Sequence, residues 1–431
     1  MSNDDSTPQI LYACPDCDLL VSGASLKPGH SLCCPRCGRR LARRGRNSVM
    51  KALATSLSGL LLFFPALLLP LLQLDAFGFE DSANLLESIL HLFGMKYYFV
   101  ALAVSFSAAI LPLLTLLFSF MVSFNLFFHR RSRWTGSIFR AWLQLTDWAM
   151  LDVYLLSILV SIIKMLPIAQ IQYLAGFFCF IVLVLLVLGT SAVIDKDMFW
   201  MKIEALSPGA PVPLIFKESE GETAAEHDIV LCHTCHKLLA GSWSGKPCPR
   251  CGSTVHRRKP QSKSRTTVLV ISAVLLLFPA NLLPIMQVDF FGSEQNSTII
   301  DGIIYFFHTG SYFVGAVILC ASVLVPVFKV IGLTILLLNR SLPEASLRRK
   351  TKMYRFITFI GRWSMLDIFV ISLMAAMVDF GFVSTTWAAP GCTWFCIVVT
   401  LTMTAAETFD PRTMWDRTLF LSSSHSSSHS S

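Results

Sequence analysis

Charge is scarce in this chain. Of 431 residues only 14% are Asp, Glu, Lys or Arg, against roughly a quarter in an ordinary soluble domain. Together with 54% hydrophobic residues and a mean hydropathy of +0.61, that shortage excludes a soluble globular protein with a charged surface. The motifs of common catalysis are missing too. The sequence has no Gly-rich nucleotide loop, serine elbow, His-Glu-x-x-His or paired catalytic carboxylate. ATP hydrolysis on this chain is not expected, and nothing argues for an enzyme. A cleavable signal peptide is also absent, because the first fifty residues are polar, cysteine-bearing and basic. The first membrane helix is expected to serve as its own insertion signal.

What the chain has is long apolar blocks, and they come in two sets of four. The first set covers about 53–74, 97–128, 143–166 and 173–194; the second covers about 268–288, 312–338, 356–378 and 387–406. A bilayer crossing needs roughly 20 helical residues, so eight crossings are expected. The two sets are copies. Phe64-Pro65-Ala66-Leu67-Leu68-Leu69-Pro70 aligns with Phe278-Pro279-Ala280-Asn281-Leu282-Leu283-Pro284 at an offset of 214, and Trp148-Ala149-Met150-Leu151-Asp152 aligns with Trp363-Ser364-Met365-Leu366-Asp367 at 215.

Charge sets the expected topology. Basic residues gather before the first crossing of each half, over 130–140 and over 340–355, whereas 75–94 and 289–310 are acidic. The basic side is the cytoplasmic one. Both termini are therefore expected in the cytoplasm, and an even crossing count per copy makes the repeat parallel. Beside anionic lipid these basic segments are explained as topology determinants, and no nucleic acid is expected.

A cysteine module precedes each membrane set. The first pairs Cys14 and Cys17 with Cys34 and Cys37; the second pairs Cys232 and Cys235 with Cys248 and Cys251. Four thiolates in two Cys-x-x-Cys knuckles suit a closed tetrahedral zinc site, structural rather than catalytic, so two structural Zn(2+) sites are expected. Thiol redox chemistry, iron or a degenerate second module are the competing readings. His30, His233, His236 and His256 lie nearby as bystanders.

Ionisable and polar residues inside the apolar blocks are costly unless they face a bundle interior or a polar path. Asp367, Ser364 and Lys329 in the second half, and Asp152 and Lys164 in the first, are the candidates for a transport path, with Thr402 in the last crossing. Lys329 aligns with Thr115, and Ser364 with Ala149, so the halves have diverged there. A structural intramembrane pair is the bland alternative. Pro65, Pro70, Pro279 and Pro284 are expected inside the first crossing of each half, as helix breaks shaping a cavity or as rigid bends. Expected boundaries are a ribbon over 11–45, a membrane module over 50–200, a linker over 201–230, a second ribbon over 231–256, a second module over 265–415 and a disordered tail over 416–431.

The duplicated Cys-x-x-Cys modules, the Phe278–Met286 segment, Gly361-Arg362-Trp363-Ser364-Met365-Leu366-Asp367 and Phe409-Asp410-Pro411-Arg412 together resemble the paraquat-inducible protein A family. The resemblance extends from Cys14 to Trp415. It implies a multi-pass inner-membrane protein of Gram-negative bacteria, all-α, with two tandem four-helix tetraspanin-like modules and cytoplasmic zinc ribbons. It also implies a periplasmic MCE-domain partner that forms a tunnel, and phospholipid as the cargo passed between membrane and tunnel. The second module's Cys232-His233-Thr234-Cys235 departs from the pattern in lacking proline, but all four thiols remain. A lipid transporter subunit is the leading expectation. A non-transporting anchor for the MCE partner and a thiol redox membrane protein are the alternatives.

Overall fold

The computed structural model describes residues 10–23, 29–43, 47–76, 79–130, 132, 134–165, 170–206, 223–290, 293–310, 312–338, 343–377 and 384–416. Most of the linker expected over 201–230 and nearly all of the tail expected over 416–431 lie outside the described residues.

The first half opens with two small hairpins, β1 (Ile10–Ala13) with β2 (Leu20–Gly23), and β3 (Ser31–Cys33) with β4 (Arg40–Arg43). Helix α1 (Ser48–Leu68) follows, then strands β5 (Leu72–Ala76) and β6 (Phe79–Ala83) and the short helix α2 (Leu85–Gly94). Helix α2 starts on a capping box, with Asn84 accepting from the Glu87 N–H and Glu87 accepting from the Asn84 N–H. A long helix runs through α3 (Tyr98–Val104), a π-helical segment Ser105–Ile110 and α4 (Leu111–Phe127). Then come α5 (Thr135–Leu145), α6 (Leu151–Met165), strand β7 (Gln170–Tyr173), α7 (Ala175–Val193) and α8 (Lys196–Leu206).

The second half repeats this order. It has β8 (Ile229–Leu231), β9 (Leu238–Ala240), α9 (Ser262–Leu282), β10 (Met286–Phe290), β11 (Ser293–Ser297) and α10 (Ile299–His308). Next are α11 (Tyr312–Ile318), a π-helical segment Leu319–Leu324 and α12 (Val325–Leu337). It ends with α13 (Glu344–Ile360), a 3-10 turn Gly361–Met365, α14 (Leu366–Met377), β12 (Ser384–Ala388) and α15 (Pro390–Thr408).

Three expectations are met only in part. Seven helices, not eight, are long and apolar enough to cross a membrane among the described residues. The third block of the first half, expected over 143–166, is interrupted: α5 ends at Leu145 and α6 has only 15 residues. The break is pinned where the Met150 N–H donates to the Ser107 carbonyl, inside the π-helical segment, whose altered hydrogen bonding frees carbonyls for such partners. Second, the fold is not all-α. Strands β6-β5-β7 and β11-β10-β12 form antiparallel three-stranded sheets at the end of the bundle away from the ribbons. The stretch Met286-Gln287-Val288-Asp289-Phe290 alternates apolar and polar residues as a strand should, yet its acidity reads as a loop.

Third, Pro70 and Pro284 lie outside the helices, and Pro65 and Pro279 do not break them. Leu69 and Leu283, each preceding a proline, are extended, with ψ of 143° and 146°, because a following proline disfavours helical backbone. The helix ends there, and the freed carbonyls are used. The Pro284 carbonyl accepts from the Gly391 N–H at 2.9 Å. A Cβ on Gly176 or Gly391 would sit 2.4 or 2.6 Å from the carbonyl oxygen of Pro70 or Pro284. Only glycine admits that approach.

The halves meet at equivalent positions. Helix α6 packs on α14, with the ring of Tyr154 edge-on to its repeat counterpart Phe369 at 5.4 Å between centroids. One apolar core, containing Met150, Ile158, Phe180, Phe369, Phe395 and Val399, spans both halves.

Candidate metal centres and intramembrane polar site

Each cysteine set converges. The four Sγ atoms of Cys14, Cys17, Cys34 and Cys37, and likewise of Cys232, Cys235, Cys248 and Cys251, lie within 4.8 Å of one another, all eight residues buried. The closest pairs are 3.4 to 3.6 Å apart. Tetrahedral coordination with bonds of about 2.3 Å places sulfurs about 3.8 Å apart, so each set fits one metal ion. All four knuckles share one backbone geometry. The carbonyls of Cys14, Cys34, Cys232 and Cys248 accept from the N–H groups of Asp18, Gly38, His236 and Gly252. Each of those donors has a left-handed φ, between 55° and 73°. Two are glycines; Asp and His are strained substitutes that turn tightness imposes.

The ribbons are crossed. The first ribbon's cysteines pack with Leu333, Leu336, Leu347, Ile357 and Trp415 of the second membrane half. The second ribbon's cysteines pack with Val122, Leu126, Phe139, Trp142 and Trp200 of the first. Equivalent arginines lock both junctions. Arg355 on α13 donates to the Cys37 carbonyl at 3.3 Å and to its sulfur at 3.1 Å, and pairs with buried Asp16 at 2.7 Å. Its repeat counterpart Arg140 on α5 donates to the Cys251 carbonyl at 3.2 Å. From the ribbon side, Arg36 stacks over Trp415 at 4.2 Å, and its counterpart Arg250 lies over Trp200 at 5.8 Å.

Sequence reasoning missed these four arginines, taking Arg140 and Arg355 only as topology signals and Arg36 and Arg250 only as residues of the cysteine knuckles. Their signal was present, because each recurs at the repeat offset opposite an equally repeated tryptophan or cysteine. His233 and His236 stay outside both sulfur clusters: His233 accepts from Arg412, and burial pushes both imidazoles down to about 4.

Inside the bundle, Lys329 is 1% exposed. Its ammonium donates to Thr402 Oγ1 at 3.2 Å on α15, and its stem lies against Gly361, where a Cβ would be 3.5 Å from Cε. Gly361 opens the 3-10 turn that carries Ser364, which packs between α12 and α15. Ser364 is buried, and its Oγ has no hydrogen-bond partner among the described residues. Asp367 follows in the first turn of α14 and is nearly buried, where the helix N-terminus favours a negative group. The chain's break at this motif thus sets a glycine against the buried lysine and carries a hydroxyl and an acid on the residues that follow.

The first half does not assemble the same set. Asp152 stands equivalently in the first turn of α6, but Thr115, Ala149 and Val187 occupy the places of Lys329, Ser364 and Thr402. Thr115 turns its hydroxyl back to the Pro112 carbonyl at 2.9 Å. The Lys164 side chain lies outside the described residues.

The model of the family described as paraquat-inducible protein A matches residues 49–204 and again 264–418. The chain belongs to the paraquat-inducible protein A family. The twofold match is the tandem duplication itself, bounded close to the ends of the two helical halves. The "Intermembrane transport protein PqiA" of Escherichia coli (strain K12) is 30% identical over 410 residues, covering 94% of this chain and 95% of that one. The "Lipophilic envelope-spanning tunnel protein A" of the same strain is 31% identical over 405 residues, covering 94% and 90%. A "Probable intermembrane transport protein" of Haemophilus influenzae is 28% identical over 418 residues, covering 95% and 97%. No solved structure matches. With seven long apolar helices among its described residues, this member of the family is a multi-pass membrane protein with a duplicated fold and two buried four-cysteine groups able to bind metal.

Proposed function

We propose that this protein is the inner-membrane subunit of an intermembrane lipid transport system in a Gram-negative bacterium. It passes phospholipid between that membrane and a periplasmic MCE-domain tunnel protein. The ribbons, each holding one structural Zn(2+), and both termini face the cytoplasm; the three-stranded sheets face the periplasmic partner. In this reading the boundaries at 11–45, 50–200, 231–256 and 265–415 delimit ribbon, tetraspanin-like four-helix module, ribbon and module, with α6 as a short crossing. The protein is not an enzyme.

The observation that carries the reading is the polar set buried in the second half alone: Lys329 bonded to Thr402, with Ser364 and Asp367 on the adjoining helix break. A buried ammonium in a membrane bundle is expensive, so a purely structural bundle has no use for it. Lipid enters a cleft between helices, its headgroup meets this set, and it leaves toward the sheets. A closed sulfur cage has no open coordination position and serves structure, which argues against thiol redox chemistry.

The test is lipid transfer into the reconstituted MCE partner, comparing wild type with D367N and S364A at equal assembly. Loss of transfer with the complex intact supports transport through the bundle. Unchanged transfer in both variants, with loss only when the complex falls apart, supports the anchor instead.

A further inference from the structure

A cavity of about 580 Å³ opens on the ribbon side of the first half, between β4, the first turn of α1 and the junction of α7 with α8. Its wall carries Arg40, Arg43, Lys51 and Lys196, against Asp195 and Asp197. Arg39 also lines it, but its guanidinium is taken by Asp16. None of the other four cations pairs with a carboxylate among the described residues. Asp195 meanwhile accepts from the Met198 N–H at 3.1 Å, capping α8.

The duplicated corner in the second half is closed. Pro411 stands where the first half has Lys196, and Arg412 where it has Asp197. Arg412 is 1% exposed and donates to Asp410 and His233. Arg258 pairs with Asp18 and Asp416, and Arg257 with Asp228. The cations named there each meet an acid. In the first half they surround open space, an arrangement whose mutual repulsion a bound anion relieves.

We propose that this cavity binds a phosphate group, held by Arg40, Arg43, Lys51 and Lys196. Its size falls within the roughly 300–1,000 Å³ of small-molecule sites, and guanidinium forks suit phosphate oxygens. The cavity lies at the first turn of α1 and the last turn of α7, the ends of two membrane-length helices. It is therefore reachable by the headgroup of an acidic phospholipid and by a soluble phosphate compound. This site is remote in the fold from the Lys329 set and does not depend on the transport reading.

The test uses the full chain in phosphatidylcholine nanodiscs and follows amide exchange over 40–43 and 191–197. One arm adds inorganic pyrophosphate; the other replaces part of the lipid with phosphatidylglycerol. Exchange is expected to slow about tenfold in one arm. Slowing by pyrophosphate assigns a soluble ligand, and slowing by phosphatidylglycerol alone assigns a headgroup. R40Q/K51Q should abolish the effect and K196Q should reduce it, with metal content unchanged. Lys196 belongs to α8 and to neither ribbon's cysteine knuckles, so K196Q, with its metal content measured alongside, decides the matter if R40Q/K51Q loses metal. No slowing in either arm, or equal slowing in wild type and K196Q, overturns the proposal.

Discussion

The two membrane halves share helix order, π-helical segments, sheet topology and knuckle geometry, and they differ where charge is placed. In the second half a lysine is buried in the bundle and the ribbon-side corner is closed by ion pairs. In the first half the bundle position is a threonine bonded to its own helix, and the ribbon-side corner is an open cationic cavity. Duplication supplied one scaffold twice; divergence then put its polar chemistry at opposite levels of the two copies. The ribbons complicate the division, because each stabilises the half that does not follow it.

That crossing gives the largest predicted effect. Cys37→Ser should cut bound metal from two ions per chain to one, measured by elemental analysis. A structural zinc site contributes about 10 kcal/mol or more in small domains, comparable with the whole stability of a fold. Hydrogen exchange should then rise over 344–360 and 411–415 in the second half, and not over 135–145. A rise confined to the first half would break the crossed arrangement.

Gly176→Ala and Gly391→Ala should each cost about 2 to 3 kcal/mol, since the new methyl meets a backbone carbonyl that cannot swing away. Thermal unfolding in detergent should show equal losses, and a clear inequality would mean the sheet ends of the halves are not equivalent. Arg355→Ala should cost about 2 kcal/mol, because it strips both the Asp16 pair and the sulfur contact; Arg140→Ala, which loses one carbonyl contact, should cost about 1 kcal/mol.

The smallest effect concerns pH. Burial, with the charge of Asp195 second, pushes the Asp197 carboxyl up to about 6. The folded state therefore holds this proton more tightly than the unfolded state. Its contribution to stability is fully present below about pH 4 and is lost as pH rises through about 6. Asp197→Asn should leave stability unchanged below about pH 4 and raise it increasingly above that, by about 1 kcal/mol at pH 7.5, a figure reduced for the partial exposure of the group.

Much of this was legible in the sequence because it depends on residue type at fixed spacing. The eight cysteines declare their cages through two Cys-x-x-Cys pairs each, and the long apolar blocks announce themselves by length. The repeat offset aligned Asp152 with Asp367 and exposed Lys329 opposite Thr115. Missed features depend on where chain segments return in space. Strand β7 is four residues long and exists because it pairs with β5, where Gln172 donates to Asp75 at 2.7 Å. The interruption before α6 depends on the Ser107 carbonyl in another helix. Arg140 and Arg355 look like any membrane-flanking cations until the opposite ribbon comes to rest on them. Pro70 was misread because a proline after a helix and a proline within one leave the same mark in an apolar run.

The most direct test of the central claim makes the second half resemble the first. The triple variant K329T/S364A/T402V carries the first half's side chains at all three diverged positions, and lipid transfer into the MCE partner is measured at matched complex levels and matched metal content. The account predicts that the complex assembles and transfer is lost. Transfer at the wild-type rate in that variant would contradict it.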